Sequence, residues 1–250
     1  MAKLADLIER TTRPAASPLG FATTRAKATP TMIIVAQIGE AWGATAGDAT
    51  AAGAGVVLLS GNPNEADIKA ATEAATDKPC GLIADDTAKL DALSDSGIDF
   101  VVVDSETPAS ALQTEDLTFL LKISEDISDI QLRTVEPLPI DALVLDTAPG
   151  TFTIGRQMEL QRITGLARKP MLMAPADDVS RDDLLSLRDS GVLLLAVDMG
   201  APDAARTLAQ LAELVEALPP RRSRQRGEKG EVTLPSPSRS HEEHDDEYDE

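Results

Sequence analysis

Carboxylates recur in this 250-residue chain at the ends of short apolar runs. Phe100-Val101-Val102-Val103 stops at Asp104-Ser105-Glu106, and Ala142-Leu143-Val144-Leu145 stops at Asp146. Gly81-Leu82-Ile83-Ala84 leads into Asp85-Asp86, and Leu195-Ala196-Val197 into Asp198. Carboxylate oxygens suit Mg²⁺, a hard cation, and Asp85, Asp104 and Asp146 form the candidate metal set. Paired acids can also share a proton. The cation inside such a run is Lys122, in Phe119-Leu120-Leu121-Lys122-Ile123. A lysine amine kept neutral by apolar surroundings forms a Schiff base with a carbonyl substrate. Lys122, with Asp104 and Glu106 to shuttle protons, is therefore the candidate catalytic set. Plainer roles compete with both sets. A carboxylate just before a helix caps its N-terminus and meets the helix dipole. Lys122 either points outward with its stem between helices or pairs with Asp104 or Asp146.

Missing residues exclude other chemistry. Residues 1–220 contain no histidine; His241 and His244 lie in a charged tail. This removes Ser-His-Asp catalysis, histidine-ligated zinc and the usual neutral-pH proton shuttle. The single cysteine, Cys80, sits in an apolar run and reads as a buried core thiol. No intramolecular disulfide is available, which fits a reducing compartment. Trp42 either lines a pocket or packs as a lid or core aromatic. Net charge is -19, and residues 1–220 carry 17 Lys+Arg against 33 Asp+Glu, or -16. Such a body repels nucleic acid and anionic membranes and disfavours phosphate-rich ligands. No apolar run approaches the ~18 residues of a membrane span, and the N-terminus lacks a signal pattern. These features predict a cytoplasmic protein without a membrane partner and a barrel without a nucleic-acid partner, and leave the oligomeric state open.

The positions of these residues follow from the elements around them. Hydrophobic residues make up 42% of the chain and aromatics 2%, so the core is aliphatic. Strand-like runs fall at 32–38, 56–60, 80–84, 99–104, 118–123, 142–146, 171–174 and 192–198. Helical patterns separate most of them: 65–76 capped by Asn64, 87–95, a short one at 108–115, 128–137, 154–168, and 181–189 capped by Ser180. In 154–168 the apolar positions are Ile154, Met158, Leu160 and Ile163. A final helix runs from Pro202 to Leu218. The Ala-, Gly- and Thr-rich stretch to Ala52 predicts a weak or broken helix. Continuously apolar strands joined by crossover helices imply a parallel sheet covered on both faces. Eight such units in ~200 residues match a closed (β/α)8 TIM barrel near its lower size limit, with an open doubly wound sheet as the alternative. Residues 1–29 read as an N-terminal helix, with Leu4, Leu7 and Ile8 on one face, and an irregular arm. The barrel occupies 30–218. Residues 219–250 read as a disordered charged tail: a basic run, Arg221-Arg222-Ser223-Arg224-Gln225-Arg226, precedes seven carboxylates in the last ten residues.

The repeated glycine-x-aspartate-strand cadence over 30–218 resembles the phosphate-binding barrel superfamily, such as flavin-dependent nitronate monooxygenases and thiamine-phosphate synthases. That resemblance implies a barrel with its site at the strand carboxyl ends. The glycine-rich phosphate turns after strands seven and eight are replaced here by Ala174-Pro175-Ala176-Asp177-Asp178 and Asp198-Met199-Gly200-Ala201-Pro202. Only Gly200 fits, so no flavin or sugar-phosphate function carries over. The reading is an α/β barrel that binds a small molecule at its mouth, or serves as a scaffold, without strong catalytic machinery and without a cofactor. The alternative is a lyase or isomerase acting on a small oxo-acid through Mg²⁺ or a Schiff base.

Overall fold

A computed structural model describes residues 3–13, 30–84, 96–114, 116–147 and 150–220. Eight strands, β1 (Ile33–Ile38), β2 (Val56–Leu59), β3 (Cys80–Ile83), β4 (Phe100–Val103), β5 (Thr118–Ile123), β6 (Ala142–Leu145), β7 (Met171–Met173) and β8 (Val192–Asp198), form a closed barrel in sequence order. Every neighbouring pair is parallel, including β8 with β1. The helices are α1 (Lys3–Thr12), α2 (Trp42–Ala51), α3 (Glu65–Ala74), α4 (Asp129–Val135), α5 (Ile154–Ala167), α6 (Arg181–Asp189) and α7 (Ala204–Glu216), with a 3₁₀ turn at Ala109–Gln113. The expected TIM barrel is the fold. The expected helix at 87–95, the arm at 14–29 and the tail from 221 lie outside the described residues.

Strand alternation divides the core. One face of each strand fills the lumen, with Val35, Leu58, Val102, Leu120 and Val144 in a single buried cluster. The other face packs under the helices in two further clusters. Among the described residues Phe100 is the largest fully buried side chain, and it occupies the lumen beside Gly81. A Cβ at Gly81 would lie 2.4 Å from the Phe100 ring. The missing side chain on β3 is thus the space the ring fills.

The amino end of the barrel is closed by α1. Leu4 and Ile8 join the lumen cluster, and Leu4 has no exposed surface. The first turn of α1 is held by Asp99, the residue before β4. Its carboxylate accepts from the Lys3 amide at 2.5 Å and the Leu4 amide at 2.7 Å. A carboxylate at this end satisfies orphan amides and favours the helix dipole.

Several local expectations need correction. The stretch 42–51 is a continuous helix, not a broken one. Its small residues let α2 approach α3 closely: a Cβ at Gly43 would lie 2.9 Å from the Ala70 Cβ. Packing recovers what low helix propensity loses. Ile154 and Met158 are 78% and 66% exposed rather than core. At 3.6 residues per turn they lie roughly opposite the face that α5 buries, Leu160, Ile163 and Ala167. The last helix begins at Ala204, after Asp203 takes a left-handed φ of 59°. Asn64 and Ser180 cap α3 and α6 as expected, each in a reciprocal capping box.

Candidate functional site

Strand parity brings the nominated side chains to one place. Lys122 follows the lumen residue Leu120 by two, so it shares the inward face at the carboxyl end of β5. The same step leads from Val102 to Asp104, from Val144 to Asp146, from Val35 to Gln37 and from Ala196 to Asp198. The barrel mouth therefore carries these residues as one polar rim above an apolar lumen.

Within that rim the Lys122 ammonium pairs with Asp146. Nζ lies 2.6 Å from Oδ2, with the two side chains 48% and 67% exposed. At that exposure the pair contributes under ~1 kcal/mol to stability. Its value is positional: it sets a donor and an acceptor side by side on adjacent strands. Lys122 does not point outward between helices, and of its two expected partners Asp146 is the one it takes.

The remaining nominated acids have local work. The Asp104 carboxylate accepts from the Glu106 amide at 3.0 Å and from the Thr107 hydroxyl at 3.1 Å, closing the turn after β4. Asp198 accepts from the Gly200 amide at 2.9 Å in the same way after β8. Glu106 is exposed in that first turn and makes no ion pair with Lys122. Among the described residues no group of three or more His, Cys, Asp or Glu is arranged to hold a metal ion. Asp104 and Asp146 are not joined in such a group, and Asp85, the third member of the set, lies outside the described residues.

Trp42 and Cys80 sit behind the sheet. Trp42 is the first residue of α2; it packs against the outer core, and its indole N–H donates to the Ser60 carbonyl at 3.1 Å. Cys80 is 2% exposed. Burial, reinforced by the negative charge of Asp99 and only partly opposed by Lys3, pushes its thiol up to about 12. The folded chain should thus resist alkylation by iodoacetamide at pH 8 and react fully once denatured; rapid reaction of the native chain would contradict this. The linked stability change has a definite sign. The unfolded thiol loses its proton above the ordinary value of 9.0 while the folded one keeps it to about 12. Between those values this group lowers stability as pH rises, with a limiting slope of about 1.4 kcal/mol per pH unit.

Among the described residues, two cavities beside the mouth stand out. One, of ≈ 370 Å³, lies at the N-terminal ends of α5 and α6 and is lined by Glu125, Phe152, Arg156 and Asp183 among others. Arg156 pairs with Glu125 and donates to the Thr147 hydroxyl at 2.7 Å. Arg156 was not legible as a site residue; the only sequence signal is its place three residues after the Thr153 cap, which accepts its amide. Arg162 secures the facing loop. It pairs with Asp129 and Glu159 and donates to the carbonyls of Glu125 and Ile127. These carboxylate partners raise its already high pKa. The second cavity, a groove of ≈ 890 Å³, runs between the loop after β7 and α7. Among the described residues its lining includes Asp177, Asp178, Asp198 and Glu213 and no lysine or arginine. This is the quadrant where phosphate-holding barrels place their anion, and here its field is negative.

No protein-family model matches the chain, and no curated protein matches it in sequence. Solved structures do resemble it. Three variants of the tryptophan synthase alpha-subunit from the hyperthermophile Pyrococcus furiosus superpose with TM-scores of 0.57, 0.56 and 0.57 at 14%, 14% and 13% identity. Each match covers 74% of this chain and 96% of the other. Among the described residues no helix is long and apolar enough to cross a membrane. At such identity the likeness carries architecture rather than activity: the chain is a TIM barrel.

Proposed function

We propose that the barrel binds a small polar molecule at its carboxyl-end mouth and performs no covalent chemistry on it. The observation that carries this reading is the Lys122–Asp146 pair on the lumen face, 2.6 Å apart. A Schiff-base lysine must present a free amine to a carbonyl carbon. An ammonium held by a carboxylate instead donates hydrogen bonds. With Asp104, Asp146 and Asp198 against Lys122, the rim carries a formal charge of -2. It suits a neutral polyol or an amine-bearing ligand better than a phosphate ester. This departs from the phosphate-binding barrels that the strand cadence resembles, and the acidic quadrant after β7 and β8 supports the departure. The oxo-acid lyase or isomerase reading has weaker support, because Lys122 is paired with Asp146 rather than with Glu106.

Thermal-shift screening of the full chain tests the proposal, using separate sets of polyols, primary amines and phosphorylated sugars. A ligand at a hundred times its Kd adds about 2.7 kcal/mol, a rise of roughly 5–10 °C for a barrel of this size. We expect such a shift from a polyol or an amine, and its loss in Lys122→Met and Asp146→Asn. Phosphorylated sugars as the strongest ligands, or a shift retained in both variants, would contradict the site. No shift from any set would leave a scaffold barrel in its place.

A further inference from the structure

We propose that the groove between the loop after β7 and α7 is the docking site of the chain's own basic run, Arg221 to Arg226. The groove has a floor of alanine, proline, valine and leucine side chains beneath its four carboxylates. An apolar channel with an acidic rim suits arginine, whose stem covers apolar surface while the guanidinium pairs with carboxylate. The run carries four arginines in six residues, matching the four acids Asp177, Asp178, Asp198 and Glu213.

The path of the chain favours this occupant. Arg181 begins α6, two residues after Val179 on the groove wall, and donates to the Ala217 carbonyl at 3.3 Å. Arg188, 8% exposed, donates to the Pro219 carbonyl at 2.7 Å. The described chain is thus held against α6 as far as Pro219, two residues before the run begins. Six extended residues reach ~20 Å. The α7 wall from Ala204 to Leu214 rises ~15 Å, a span comparable to the reach of the run itself. A short tether also supplies a local concentration of roughly millimolar order, which favours this occupant over any separate basic peptide.

A spin label tests the assignment in the full chain. Ser223→Cys provides the attachment site, and Cys80 remains unlabelled because it is buried. The amides of Val179, Thr207, Gln210 and Leu214 should lose most of their NMR intensity when the label is oxidised. The loss should vanish in the same chain carrying Asp177→Lys and Glu213→Lys. It should also vanish in 1 M salt, where the screening length falls to about 3 Å. No broadening at these amides would overturn the proposal. So would broadening confined to residues 241–250, which would show the basic run paired with the acidic tail instead. Broadening of an isotope-labelled, spin-free chain mixed with a spin-labelled one would assign the groove to a second copy and overturn the intrachain assignment.

Discussion

Gly81→Ala should lower stability by about 3 kcal/mol, at the upper end of the range for overpacked cores. For a chain of this size that is a fall in Tm of roughly 6–12 °C. The added Cβ would sit 2.4–2.5 Å from three atoms of the Phe100 ring. Phe100 is fully buried and enclosed by the lumen cluster, so the ring has nowhere to retreat. Gly81 is not among the glycines with a left-handed φ, so the backbone itself would accept alanine. The clash alone sets the sign, and the smaller entropy gain from removing a glycine opposes it. Phe100→Leu combined with Gly81→Ala should recover part of the loss, because the two residues share one volume. Thermal denaturation of the two single variants and the double variant measures that coupling. Additive losses would show that Gly81 and Phe100 do not share the space.

Leu4→Ala should cost about 3 kcal/mol, within the range for a buried leucine that leaves a cavity. Leu4 is fully buried in the lumen cluster although it belongs to a helix outside the barrel sequence. Its loss should also release α1, so that the α1 amides lose protection from hydrogen exchange while the strand amides keep theirs. Asp99→Ala should act in the same direction by about 1 kcal/mol, since it removes the acceptor of two helix amides. Exchange protection of α1 unchanged in Leu4→Ala would contradict the view that this leucine anchors the barrel floor.

The strands were legible because each is a continuous apolar run that a covered parallel sheet demands. Thr118–Ile123, Arg181–Asp189 and Val192–Asp198 have the expected bounds. Helix starts were legible where a capping side chain marks them, as at Asn64 and Ser180. What depends on distant partners was not. Asp99 reads as the first residue of a strand, yet it bonds to amides 95 and 96 positions away. The α2 segment reads as weak because its stability lies in the surface it shares with α3. Apolar composition nominated Ile154 and Met158, although the helical angle turns them to solvent. At the site, residue type was enough to nominate Lys122, Asp104 and Asp146. The partner of Lys122 depended on which strands become neighbours and which face turns inward, and closure of the barrel sets both.

The most direct test of the central claim, that Lys122 is a charge partner in a binding site and not a catalytic amine, is borohydride trapping. The full chain would be incubated with a mixture of small oxo-acids, reduced, and mapped by mass spectrometry after proteolysis. The ion pair at 2.6 Å predicts that the peptide containing Lys122 keeps its unmodified mass. A reduced adduct on Lys122 in the native chain, abolished by Lys122→Met, would contradict the account and establish amine chemistry at the barrel mouth.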